Sequence, residues 1–64
     1  MKLKIIREAA GMSQAQLAAL SGVGVHMIQH YEQGFRDING ARAITIFKLA
    51  KALDCNMEDL IETE

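Results

Sequence analysis

The sequence predicts an all-α fold built from five short helices. Three observations carry that expectation. Gly11, Gly22 and Gly34 each follow a run of apolar residues at three- and four-residue spacing, where a helix ends in a left-handed residue that glycine adopts without steric cost. Proline is absent, so glycine and polar caps supply all the punctuation. Ser13-Gln14-Ala15-Gln16 is a complete capping box, with the Ser13 hydroxyl placed to accept from the Gln16 amide and the Gln16 side chain placed to reach back.

Residues 2–10 read as the first helix, with Leu3, Ile6 and Ala10 on one face. The second starts at the Ser13 cap, with Met12 and Leu17 as its hydrophobic staple, and runs to about Leu20 before stopping at Gly22. Only Ser21-Gly22-Val23 separates it from a third helix over about residues 24–33, capped by Gly24 and stapled by Val23 and Ile28. A polar loop through Phe35, Arg36 and Asp37 leads to a fourth helix capped near Asn39 or Gly40. Its apolar positions Ala43, Ile44, Ile46, Phe47, Ala50 and Leu53 suggest a central helix touched from more than one side. Asn56 is expected to cap a fifth, short helix whose Met57, Leu60 and Ile61 pack back. Glu58 and Asp59 fall in its dipole-favoured first turn.

Composition bounds the function. Sixty-four residues hold one small domain, and 50% hydrophobic content excludes a disordered chain. No apolar run approaches a membrane span, and no secretory leader follows Met1, so a cytoplasmic location without membrane attachment is expected. One cysteine forms no internal bridge, and two histidines with one cysteine are too few and badly spaced for structural zinc. Cys55 sits among acids, which argues against a reactive thiolate. No cofactor, small-molecule ligand or metal is expected. Nucleophilic catalysis needs an oriented base and an oxyanion site that the chain does not offer, so no enzyme is expected.

The net charge of −1 hides an asymmetry. Residues 1–53 carry seven bases against three acids, a net of +4, whereas residues 54–64 carry five acids and no base. A mildly basic body can approach phosphate while the acidic tail points elsewhere.

Two helices joined by a short glycine-containing turn, with apolar anchors fixing their crossing, make a helix-turn-helix over about residues 13–33. The first helix of such a pair braces the second, which can project side chains into a DNA major groove. A Cβ at the turn glycine is expected to obstruct the backbone reversal.

Ser13-Gln14, Leu17-Ala18, Gly22-Val23, Ile28 and Glu32-Gln33-Gly34 together resemble the phage-repressor and Cro-type helix-turn-helix family, also called the xenobiotic-response-element family. Leu49-Ala50-Lys51-Ala52-Leu53 and Met57-Glu58-Asp59-Leu60 are similar to its fourth and fifth helices, so the resemblance spans about residues 3–61. It implies a compact five-helix lambda-repressor-like domain over residues 1–64 that binds double-stranded operator DNA, as a homodimer, to repress transcription. Carried over by position, Val25, His26 and His30 would read base edges. Ser13, Gln14, Met27, Gln29, Arg36 and Asn39 would make backbone or flanking contacts, and Arg7 with Glu32 would form a structural ion pair.

Departures from the family pattern are a glycine cap at Gly24 where relatives place serine, no proline before the fourth helix, a longer connection after Gly34, and Asp37 in that loop. Gly24, Asp37, the acidic tail and the near-neutral charge favour an alternative: a protein-interaction module or antitoxin-like partner with weak DNA affinity. His26 and His30 share a helical face four residues apart, but the third ligand of a metal site is missing. Phe47, Met57 and Ile61 exceed what so small a core needs, which points to the fourth or fifth helix, the fifth by preference, as the dimer surface.

Overall fold

One fully buried side chain comes from each segment of the chain: Leu3, Leu17, Ile28, Ile38, Leu49 and Leu60. The computed structural model describes residues 1–62; Glu64, part of the acidic tail, lies outside the described residues. Four α-helices enclose this centre, α1 (Lys2–Ala9), α2 (Gln14–Ser21), α3 (Val25–Gln33) and α4 (Ala43–Ala52). Two single 3-10 turns, Ile38–Gly40 and Met57–Asp59, complete the core, and the described residues contain no strand. Burying each such side chain contributes about 1.5–3 kcal/mol, comparable to the whole stability of a domain this size.

The first three helices start and stop where their capping residues require. The Ser13 hydroxyl accepts from the Gln16 amide at 3.0 Å and Gln16 Oε1 accepts from the Ser13 amide at 2.8 Å. Met12 packs against the core, and Leu17, Val23 and Ile28 are buried, so the residues of both expected staples enter the core. Gly22 adopts a φ of +78°. A Cβ there would meet nothing within 4 Å, so the left-handed backbone, and not a steric obstruction, calls for glycine at the turn.

The chain beyond Gly34 departs from expectation. Asn39 and Gly40 do not cap α4; they belong to the 3-10 turn, which Asp37 caps by accepting from the Asn39 amide at 2.9 Å. The α4 N-cap is Arg42, which offers no side-chain acceptor. Only one side of α4 is buried, through Ile46, Leu49 and Ala50, while Ile44 and Phe47 remain about half exposed. Asp54 ends α4 at a φ of +54°, a position that glycine fills in the other turns. The expected fifth helix is one 3-10 turn in which the Asp59 carboxylate accepts from the Asn56 amide at 2.9 Å and the Asp59 amide donates to the Asn56 carbonyl at 3.0 Å, too short to continue before Leu60 enters the core.

Within the acidic tail, Glu62 is tied back to the body of the domain. Asn39 Nδ2 donates to the Glu62 carbonyl at 2.7 Å and the Glu62 amide donates to Asn39 Oδ1 at 2.8 Å. The Glu62 carboxylate accepts from the Lys2 amide at 2.7 Å, at the positive end of α1. Glu62 therefore joins the start of α1 to the 37–40 loop, and it lines one shallow cleft with Arg36 and Gly34.

Candidate nucleic-acid interface

The α2–α3 pair is set against α1 by a charged knot beneath it. Arg7 Nε donates to Glu32 Oε2 at 2.7 Å and Nη2 donates to Oε1 at 3.0 Å. Nη1 donates to the Met12 carbonyl at 2.7 Å, and Gln14 Nε2 donates to Glu32 Oε1 at 3.0 Å. Four segments are thus tied together around one ion pair: α1, the 10–13 loop, the first turn of α2 and the last turn of α3. The Arg7 and Glu32 side chains are 9% and 3% exposed, so the pair is shielded from screening. Burial alone would push the Glu32 carboxyl up; the hydrogen bonds from Arg7 and Gln14, with the charges of Arg7 and Lys4, hold it below its ordinary value. The hydrogen bond to Glu32 raises Arg7 in turn.

On α3, Ile28 and Tyr31 turn into the core. A two-residue step rotates a helix by about 200°, so His26 and His30 both lie opposite Ile28. His26 is exposed, whereas Val25, Gln29 and His30 are half-buried. The His30 ring meets Phe35 edge-on, with centroids 5.9 Å apart and planes at 74°. Gly24 supplies no side-chain cap, so the first-turn amides of α3 are left for solvent or an acceptor.

The remaining residues singled out from the sequence divide into two groups. Ser13 and Gln14 sit at the start of α2, with the Ser13 hydroxyl proton and the second Gln14 amide hydrogen still able to donate. Arg36 is exposed and lines a cleft between α3 and the start of α4, together with Met27, Tyr31 and Arg42. Met27, however, packs against the core, and the Asn39 side chain is committed to Glu62. Asp37 lines the same cleft, but its carboxylate caps the 3-10 turn.

Two residues escape a reading of the sequence. Arg42 is hidden because the polar signals before it place the start of the fourth helix too early; an unmatched base in a loop lacking proline is its only signal. Phe35, the most exposed large apolar residue at 75%, reads as part of a polar loop. Cys55 is half-buried, and burial with the charges of Asp59 and Asp54 pushes its thiol up, away from reactivity.

A braced helix pair with one polar outer face is also what comparison with known proteins finds: the helix-turn-helix family model matches residues 3–60. The chain belongs to the Cro/C1-type helix-turn-helix family. No curated protein and no solved structure matches it. Membership in the Cro/C1-type family makes the chain a non-enzymatic DNA-binding domain with a role in transcriptional regulation. Among the described residues no helix is long and apolar enough to cross a membrane.

Proposed function

We propose that residues 1–64 act as one sequence-specific double-stranded DNA-binding unit, a homodimeric transcriptional repressor of the cytoplasm that reads the major groove with α3. The observation that carries this reading is the division of α3. Ile28 and Tyr31 are committed to the core while His26 and His30 lie on the opposite side, and Glu32 is locked to α1 by a buried pair. A helix so anchored presents the same edge each time it docks, which base readout requires.

In this reading Val25, His26 and His30 meet base edges, and Gln29 flanks them. Ser13 and Gln14 donate to a phosphate at the start of α2, and the open first turn of α3 favours an anion nearby. Arg36 and Arg42, sharing one cleft, supply charge to the DNA backbone beyond α3. Arg42 takes the place that the family resemblance gives to Asn39.

Pairing across a two-fold axis sets two α3 helices in half-sites one turn, about 34 Å, apart. Met57 and Ile61 pack against the core, so the exposed side of α4, with Ile44 and Phe47 one turn apart, is the dimer surface favoured here.

Selection of bound duplexes from a random pool, followed by a salt titration, tests the proposal. A two-fold symmetric consensus whose affinity falls steeply with salt is expected. No preference among duplexes, with tight binding to a cellular protein instead, would favour an interaction or antitoxin-like module.

A further inference from the structure

We infer that Phe35 is a positioning residue for His30: the turn that ends α3 also fixes how the imidazole is presented to DNA. The inference rests on the proposed reading of bases by α3 and deepens it.

The backbone makes the arrangement obligatory. Gly34, at a φ of +82°, donates to the Tyr31 carbonyl at 3.3 Å, and the Phe35 amide donates to the His30 carbonyl at 2.9 Å. These are the two bonds of a Schellman cap, in which the residue after the left-handed glycine is brought back over the side chain five positions earlier. In such caps an apolar pair frequently fills that contact. Here the pair is Phe35 and His30, in a T-shaped ring contact. Phe35 lies outside the core cluster and stays 75% exposed, so core packing does not account for a phenylalanine at this position.

Orientation matters for an imidazole as it does not for a hydroxyl. A neutral ring carries a donor on one nitrogen and an acceptor on the other, and a half-turn of the ring exchanges them. The terminal torsion of histidine is broad and roughly two-fold, so an unsupported ring samples both presentations. An edge-to-face contact narrows the range of planes the ring samples, and with it the directions in which either nitrogen can reach a base. Such a pair favours the ring orientation that keeps the contact over those that break it by about two- to tenfold, and that is the discrimination Phe35 adds at the base His30 meets.

The experiment compares wild type, F35A, F35L, F35W, H30A and the F35A/H30A double variant. Each is measured for dissociation constants on the selected duplex and its single-base variants, for melting temperature, and by NMR for the ring protons of His30. In the free protein, Phe35 should displace the His30 proton resonances by its ring current, and F35A should abolish that displacement. F35A should lose about two- to tenfold of discrimination at one base pair per half-site, with preferences elsewhere and the melting temperature nearly unchanged. H30A should lose the preference at that same base pair, and the double variant should match H30A. F35W should restore discrimination, whereas F35L, which fills the apolar contact without an aromatic ring, should not. H30A altering base preference while F35A does not would overturn the positioning role alone. A preference untouched by H30A would overturn both His30 as a reader and Phe35 as its positioner. An equal loss on every duplex in F35A would also overturn the inference, pointing to direct contact between Phe35 and the DNA backbone.

Discussion

Arg7 and Glu32 lie 25 positions apart in the chain, yet two parallel hydrogen bonds, at 2.7 and 3.0 Å, join their side chains beneath the helix-turn-helix. Removing one partner strands the other as a buried charge, which costs about 3–5 kcal/mol. Glu32→Ala should therefore leave the domain largely unfolded at room temperature, and Arg7→Lys, which cannot reproduce the planar fork, should lower its melting point markedly. The double change Arg7→Met with Glu32→Leu should recover a cooperative transition. Chemical denaturation of the four proteins checks this; a Glu32→Ala domain as stable as wild type would contradict it.

The same pair sets an acid limit. Glu32 is held below its ordinary value of 4.5, so the folded chain binds fewer protons than the unfolded one as pH falls. The pair's contribution is fully present above about pH 5 and drains away as pH drops through the lowered value. Unfolding free energies measured on descending pH should slope downward in wild type and less steeply in the double variant that carries both Arg7→Met and Glu32→Leu.

Asn39 and Glu62 should act as a clamp. Asn39→Ala removes both hydrogen bonds to the Glu62 backbone and should cost about 1–2 kcal/mol. Faster amide exchange at Glu62 should accompany the lower melting temperature. Glu62→Gln, which keeps an acceptor for the Lys2 amide but not its charge, should cost less.

Arg36 and Arg42 should contact phosphates and not bases. Alanine at either position should weaken binding to all duplexes alike and reduce the slope of log affinity against log salt by about 0.9. His26→Ala should instead change the selected sequence with little effect on that slope. Salt titrations on specific and scrambled duplexes separate the two behaviours.

Phe47→Glu places a charge in the proposed α4 dimer surface at a residue 48% exposed, so the monomer fold should survive. Sedimentation should show a monomer where wild type dimerises, and affinity for a two-half-site duplex should fall by about a hundredfold or more.

Much of the fold is legible in local chemistry. The Ser13–Gln16 box, the two staples and the three left-handed glycines each act within five residues, so α1, α2 and α3 can be placed from sequence. The start of α4 is not legible in that way, because Arg42 carries no capping group and Asp37 caps a turn that resembles a helix start. The end of α4 is equally obscure, since an aspartate takes the left-handed position. At the site, His26 and His30 come from the family resemblance, and helical spacing adds only that they share a face, whereas the commitments of Gln14 to Glu32 and of Asn39 to Glu62 span 18 and 23 positions. No local pattern encodes those, and they change which polar atoms remain for DNA.

The centre of the molecule holds six side chains drawn singly from successive segments, Leu3, Leu17, Ile28, Ile38, Leu49 and Leu60. A protein so assembled has no redundant layer: when any segment lifts, the hole it leaves is in the middle. Partial opening should be as costly as complete opening, and the slowest amide protons of every helix should exchange at one common rate. Such all-or-none behaviour would make the reading edge either wholly formed or absent, with no half-ordered protein to occupy the wrong duplex.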